Sequence, residues 1–336
     1  MTQQRKIRIA INGFGRIGRM TLRELLKRDT NEVVAINDRS DSATLAHLFK
    51  YDSIHGRFNG TVNTTFDGLE INGRIIKVFA EQDPSKLPLK LLDVDLVLEC
   101  TGKFLSAKLA GIHLNSGAKK VLLSAPSRGQ DEVKTIVIGV NDNLLTKDDR
   151  IISNASCTTN NAAPMLKILD DNWIIESAFV TTVHSYTGDQ NIQDAPHTDL
   201  RRARAAAVSI IPTTTGAAKA LGEVLPHLNG KIGGAGIRVP VPDGSLTDIT
   251  CILQKNVPVE QVNSRFKLAA SGSLKNILEY TEEPIVSVDI IGNNHSCIFD
   301  SQLTTVLGNM VKVVGWYDNE VGYSTRLAEL ADKMFL

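Results

Sequence analysis

A chain of 336 residues with 42% hydrophobic and 22% charged residues is too long for one ordinary core and predicts about two globular domains. Lysine plus arginine and aspartate plus glutamate both number 37, so there is no basic excess to attract nucleic acid or an anionic membrane, and neither partner is expected. The lead MTQQRKIRIAING has no apolar stretch before a small-residue cleavage site, and no run of 18 apolar residues follows it. A cytoplasmic protein is expected.

The chain opens with IRIAINGFGRIGRMTLRELLKRDTNEVVAIND, which parses as strand, glycine turn, amphipathic helix and second strand. Gly13, Gly15 and Gly18 give G-x-G-x-x-G between strand and helix, and Asp38 closes the second strand about twenty residues later, where an acid meets a ribose hydroxyl. Each glycine has its own reason. Gly13 permits the tight turn, Gly15 lets backbone approach a pyrophosphate, and Gly18 lets helix and strand pack closely, with the helix N-terminus facing the phosphates. In TTFDGLEINGRIIKVFAE, Asn72-Gly73 between alternating runs signals a hairpin. DLVLECTG, KKVLLSAP, TIVIGVN and RIISNAS then read as short buried strands of a parallel sheet.

Next comes NASCTTNN, where Cys157 stands near the first turn of a predicted helix with Ser156 as its N-cap. Such a thiol is placed to ionise, whereas Cys100 and Cys251 lie in apolar runs and read as packing residues; Cys297 is left open between the two, with packing favoured. The four cysteines show no CxxC pair, so neither a disulfide framework nor a metal site is indicated. Pro164 falls eight residues into the helix and cannot donate to the carbonyl of Asn160, so a kink or a later start is expected. Beyond it, ESAFVTTVHSYT, GGAGIRVPVPDGSLTDITCIL, PIVSVDIIG and SQLTTVLGNMVKVVGWYDN read as strands of a larger, mainly antiparallel sheet. EVGYSTRLAELADKMFL closes the chain as a helix.

With these pieces in order, INGFGRIGR, KYDSIHGRF, SAPS, ASCTTN, HSYTGDQ, DLRRARAAAVSIIPTTTGAAKA, RVPVPDGSLTD and WYDNEVGYS resemble the phosphorylating glyceraldehyde-3-phosphate dehydrogenase family along nearly the whole length. The resemblance implies an α/β chain. Residues 1–156 would be a doubly wound, Rossmann-type NAD(P)-binding domain, and 157–318 an α+β catalytic domain with a mainly antiparallel sheet. The helix over 319–336 would return to the first domain, and the chain would form a homotetramer. Cys157 becomes the nucleophile and His184 its base. An aldehyde carbon loses hydride readily only after a thiol has made it tetrahedral.

The cofactor contacts implied are Gly13, Phe14, Gly15, Arg16, Ile17, Gly18, Asp38, Arg39, Thr101, Ser124 and Asn319. One phosphate pocket uses Thr187 and Arg238; the other uses Ser156, Thr158, Arg202, Thr215 and Gly216. Without the family, LRRARAAA is a solvated charge run and PTTTG an ordinary helix start. The retained TTTG and SYT argue against the erythrose-4-phosphate dehydrogenase branch, and the complete nucleophile and phosphate sets argue against a redox sensor or scaffold without turnover. Asn161 replaces the family's usual second cysteine, which excludes a disulfide to Cys157. On cofactor choice, Asp38 favours NAD, while Arg39 stands where NAD-specific members carry an apolar residue. Ala195-Pro196 replaces the family's Leu-Pro pair, midway to the Ala-Ser of NADP-accepting members. NAD is expected to be preferred, with NADP accepted as well.

Overall fold

The computed structural model describes residues 5–129 and 133–336. The chain divides into two compact units, one holding residues up to Ile136 with Asn143–Ala155 and Ser324–Leu336, the other holding Val137–Asp142 and Ser156–Tyr323.

In the first unit β1 (Ile7–Asn12), α1 (Arg16–Leu25) and β2 (Asn31–Asn37) form the opening βαβ. There follow α2 (Ser42–Lys50), β3 (Val62–Thr65), β4 (Gly68–Ile71), β5 (Arg74–Phe79), β6 (Leu96–Glu99), α3 (Ala107–Asn115), β7 (Lys120–Leu123), β8 (Lys134–Thr135) and β9 (Ile151–Ser153). Their strands make one nine-stranded sheet, ordered β3-β4-β5-β2-β1-β6-β7-β9-β8. All its neighbours run parallel except β3–β4 and β4–β5. The central strands are mainly apolar because both faces are covered: Ile9, Ile11, Leu96, Val97, Leu98, Val121 and Leu122 are fully buried. Asn72 and Gly73 join β4 to β5, both with positive φ (51° and 77°), as a two-residue hairpin turn demands.

The second unit continues with α4 (Cys157–Trp173), β10 (Ile175–Ser185), β11 (Ile211–Thr213), α5 (Ala217–Val224), β12 (Ile232–Val239), β13 (Ser245–Leu253), α6 (Val259–Ser271), β14 (Leu278–Thr281), β15 (Cys297–Asp300), β16 (Thr305–Leu307) and β17 (Met310–Tyr317). The main path of its sheet is β11-β12-β10-β13-β17-β15-β14, with β16 added on β17. It is mainly antiparallel, the parallel pairs being β10–β12 and β14–β15. α4 covers it with Ala162, Ala163, Met165, Leu166 and Leu169, all fully buried. α7 (Val321–Lys333) begins in this unit, and its residues from Ser324 onward belong to the first.

Two expected strands are not formed. Of TIVIGVN only Thr135 lies in a strand, as the end of β8. Beyond Ile136 the chain turns, with Val140 N–H on the Val137 carbonyl, the Asn141 side chain capping Val137 N–H, and Gly139 at φ 82°. Gly139 packs so closely on Leu274 and Ile277 that a Cβ there would lie 2.8 and 2.7 Å from them, which is why Val137–Asp142 joins the second unit. PIVSVDIIG holds a 3₁₀ turn, Ser287–Ile290, because the Asp289 carboxylate accepts the Val286 N–H at 2.7 Å. Its Val286 and Val288 are exposed. Of the two outcomes expected for the proline-bearing helix, a kink or a later start, the later start is absent: α4 begins at Cys157 and carries Pro164 inside it.

Candidate active site

The glycine turn builds a cleft of about 350 Å³ at the carboxyl ends of β1, β2 and β6. A Cβ on Gly13 would stand 2.8 Å from the Cys100 and Thr101 backbone, and one on Gly18 would stand 2.2 Å from the Gly13 carbonyl oxygen. Gly15 faces open space and begins α1 with no side-chain cap, so the helix start presents its backbone dipole to a phosphate. Asp38 accepts Phe14 N–H at 2.9 Å and Ser40 N–H at 3.1 Å, pinning the turn to the end of β2. The acid, the glycine spacing and the bare helix start fit a dinucleotide.

Asp38, Arg39 and Thr101 line this cleft with Gly13 and Gly15. The other residues expected to touch a cofactor are placed differently. The Phe14 ring is buried and stacks on Phe49. Arg16 pairs with Asp52. Ile17 and Gly18 lie within α1, and Ser124 gives its N–H to the Glu99 carbonyl. Asn319 is in the second unit, its Oδ1 accepting from the Ser185 and Ser245 hydroxyls at 2.9 and 2.7 Å. Cys100 is a correction, since β6 ends at Glu99 and delivers it to the cleft wall instead of the core. Burial, with the Glu99 charge added, pushes its thiol up to about 12 despite a contact from Ser124.

Sequence reasoning missed a buried network tied to the cleft residues Asn12, Asn37 and Thr101. Glu99 and His113 are fully buried, and the Glu99 carboxylate takes the Asn12 amide at 2.6 Å, the Thr101 N–H at 2.8 Å and His113 Nε2 at 3.0 Å. Asn37 completes the network by donating to Asn12 Oδ1 at 2.7 Å. An acid at the end of an apolar strand was the available signal.

In the second unit Ser156 caps α4, its hydroxyl accepting Thr159 N–H at 3.0 Å, so Cys157 is the first helical residue. Ala155 before it holds φ 55°, a conformation unusual for a residue with a Cβ. Alternation along β10 buries Val180, Thr182 and His184 on one face, and His184 Nε2 comes to 3.4 Å from Cys157 Sγ. The parallel register of β10 and β12 sets His184 opposite Arg238. His184 Nδ1 lies 2.8 Å from the Ser185 carbonyl and 2.6 Å from Arg238 Nη1, which also donates to that carbonyl at 3.0 Å. These contacts serve the two neutral tautomers. With Nδ1–H on Ser185, Nε2 offers a lone pair to the thiol; with Arg238 donating to Nδ1, Nε2 carries the proton.

Burial, with the Arg238 charge added, holds His184 down to about 3. Burial raises the Cys157 thiol, opposed by Arg238 and by hydrogen bonds from Thr158. Tyr317 was not foreseen: its hydroxyl joins Thr158 and Thr182 at 2.9 Å each, and its ring stands edge-on to His184. Cys251 and Cys297 are buried, as expected of packing residues.

The remaining anion-site candidates divide. Thr187 and Arg202 meet at Asp189: the Thr187 hydroxyl donates to one carboxylate oxygen, and Arg202 Nη1 donates to the other at 2.8 Å. Arg202 is also tied to the Thr213 hydroxyl at 2.9 Å. Thr215 and Gly216 form the start of α5, the Thr215 hydroxyl accepting Ala217 N–H at 3.1 Å. The Ser156 and Thr158 hydroxyls are already engaged, by the helix cap and by Tyr317.

A dinucleotide-type cleft in one unit and a thiol–imidazole–guanidinium set in the other define a nucleotide-dependent enzyme with a cysteine centre. Comparison with known proteins agrees. Residues 7–107 match the model of the glyceraldehyde 3-phosphate dehydrogenase NAD binding domain, and residues 156–319 match that of the same enzyme's C-terminal domain. The chain is 54% identical to glyceraldehyde-3-phosphate dehydrogenase 2 of Streptomyces avermitilis, across 96% of this chain and 97% of that one. Identity is 55% to the glyceraldehyde-3-phosphate dehydrogenase of Streptomyces coelicolor (96% and 97% covered) and 53% to that of Geobacillus stearothermophilus (97% and 97%). The chain belongs to the glyceraldehyde-3-phosphate dehydrogenase family.

Proposed function

We propose that this chain is an NAD-dependent oxidoreductase that converts D-glyceraldehyde 3-phosphate and inorganic phosphate to 1,3-bisphosphoglycerate, a step of glycolysis run in either direction. The observation that carries the reading is the approach of Cys157 Sγ to His184 Nε2 beside Arg238, with Arg202 and Thr187 close by on Asp189.

Cys157 Sγ attacks the aldehyde carbon while its proton passes to His184 Nε2, and the hemithioacetal forms. The imidazole, now protonated, donates to the developing oxyanion; it takes the hydroxyl proton back as the carbon gives up hydride and becomes a thioester. Bound in the first unit's cleft, NAD supplies the hydride acceptor. A phosphate oxygen then attacks the thioester carbon, the C–S bond breaks, and the proton held on His184 returns to sulfur. Thr187 and Arg238 hold the aldehyde's own phosphate. Arg202, Thr215, Gly216, Ser156 and Thr158 receive the attacking one, the last two through the N–H groups of the first turn of α4.

NAD is the preferred cofactor in this reading, and Arg39 lets NADP be used as well. The exposed Ile192, Leu200, Val208 and Ile210 support burial against further copies of the chain in a homotetramer. No helix among the described residues is long and apolar enough to cross a membrane, in keeping with a proposed cytoplasmic site of action. Following NADH absorbance with glyceraldehyde 3-phosphate, with and without phosphate, tests the reading. Formation of free acid at the same rate without phosphate would replace it with a hydrolytic aldehyde dehydrogenase.

A further inference from the structure

The two oxygens of the Asp189 carboxylate hold two groups that the reading above assigns to different phosphate sites. One takes the Thr187 hydroxyl, and the other takes Arg202 Nη1 at 2.8 Å. We propose that Asp189 is a resident counter-anion coupling the two sites, so that whichever phosphate displaces it first frees an arm of the other site too. The inference rests on the proposed function and deepens it.

A carboxylate offers a hydroxyl and a guanidinium the same kind of acceptor as two phosphate oxygens, so the substrate-free arms are already satisfied. Both arms stay in place when the carboxylate leaves. Arg202 remains tied to the Thr213 hydroxyl at 2.9 Å and to the Thr214 carbonyl at 3.5 Å. Thr187 is fixed through its backbone, which accepts Gln190 N–H at 2.9 Å and donates to the Gln190 side chain at 3.3 Å. Asp189 itself is half exposed (46%), so its side chain swings into water at little desolvation cost. The Thr187 hydroxyl has one proton to give, so a phosphate oxygen that takes it displaces the carboxylate, and repulsion between the two anions drives Asp189 from Arg202 as well. The site's charges already act on Asp189: burial works against its ionisation, yet the Thr187 hydroxyl, Arg238 and Arg202 hold its carboxyl below the usual range. The first anion therefore bears the whole cost of ejecting Asp189, and the second binds without it. That is a coupling free energy between sites, and it opposes the direct repulsion between two phosphates.

The test measures KM for inorganic phosphate, at saturating NAD, with D-glyceraldehyde and with D-glyceraldehyde 3-phosphate, in the wild type and in Asp189→Asn. Asparagine keeps an acceptor for Thr187 and presents an amide N–H₂ in place of the oxygen that takes Arg202 Nη1. In the wild type, KM for phosphate should be roughly three- to tenfold lower with the phosphorylated aldehyde. In the variant, KM with plain glyceraldehyde should fall toward that lower value, and the difference between aldehydes should vanish or reverse. An unchanged ratio between aldehydes, or a parallel rise of both KM values, overturns the inference alone. NADH formation indifferent to phosphate with both aldehydes overturns the functional reading and this inference with it.

Discussion

His184 and Arg238 are direct neighbours across the parallel pair β10–β12, and the Arg238 guanidinium lies 2.6 Å from the imidazole nitrogen facing away from Cys157. A fixed positive charge thus sits behind the base. It lowers the proton affinity of the ring and, through the same field, that of the thiol.

Removing that charge with Arg238→Ala should raise the pKa of both groups, because Arg238 depresses both. The sign is measurable on the thiol: the pH profile of iodoacetamide alkylation should move to higher pH, and the rate at neutral pH should fall roughly tenfold for each pKa unit gained. A shift to lower pH would mean that Arg238 is not acting through charge.

Cys157 should be the one rapidly alkylated thiol. Burial pushes Cys100 and Cys251 up to about 12 and raises Cys297 as well, and none of the three stands against an imidazole. One label per chain should abolish oxidation. Cys157→Ser should be inactive, and His184→Asn should lose roughly 10² to 10⁴ in rate while still binding NAD. Full activity after complete labelling of Cys157 would exclude the hemithioacetal route.

Cofactor choice turns on two adjacent cleft residues. Asp38 opposes a 2′-phosphate by about 4 kcal/mol per unit-charge pair at 4 Å and an effective dielectric of 20, before screening; Arg39 offsets part of it. Asp38→Ala should shift kcat/KM toward NADP and Arg39→Leu toward NAD. A wild-type preference for NADP would reverse the ranking.

Asp52 predicts a pH dependence of stability. Although burial works the other way, the Arg16 guanidinium and the N–H groups of His55 and Ile54 hold its carboxyl down to about 2. A carboxyl depressed on folding contributes stability that is complete above its unfolded pKa near 4 and is lost as pH falls through about 2. Asp52→Asn should therefore be less stable than wild type by about 2 kcal/mol at pH 6, and the gap should close near pH 2. A gap independent of pH in urea unfolding would assign the loss to packing instead.

The sequence made the first unit's βαβ, the hairpin at Asn72-Gly73 and the capped start of α4 legible because each depends on local chemistry: glycine φ, turn type, a serine before a helix. TIVIGVN and PIVSVDIIG misled because an apolar run reports burial and not strand pairing, and local turns diverted both. Arg238 beside His184, Tyr317 bracing Thr158 and Thr182, and Asp189 bridging Thr187 to Arg202 all depend on register between segments distant in the chain. Family resemblance supplied Arg238, His184, Thr158, Thr187 and Arg202 with roles and no geometry, and it left Tyr317, Thr182 and Asp189 unassigned.

α7 carries a last consequence. Its Leu327, Ala328, Leu330 and Ala331 are fully buried, and Asp332 takes hydrogen bonds from Arg28, Thr30 and Asn31 near the start of β2. The first unit is therefore assembled from segments on both sides of the second unit's main stretch, Ser156–Tyr323. Domains commonly fold one after another as they leave the ribosome, the N-terminal one first. Here the order is broken: the nucleotide-binding half emerges first and must wait, its apolar seam open, until α7 is translated. The half made later has all its own strands before then.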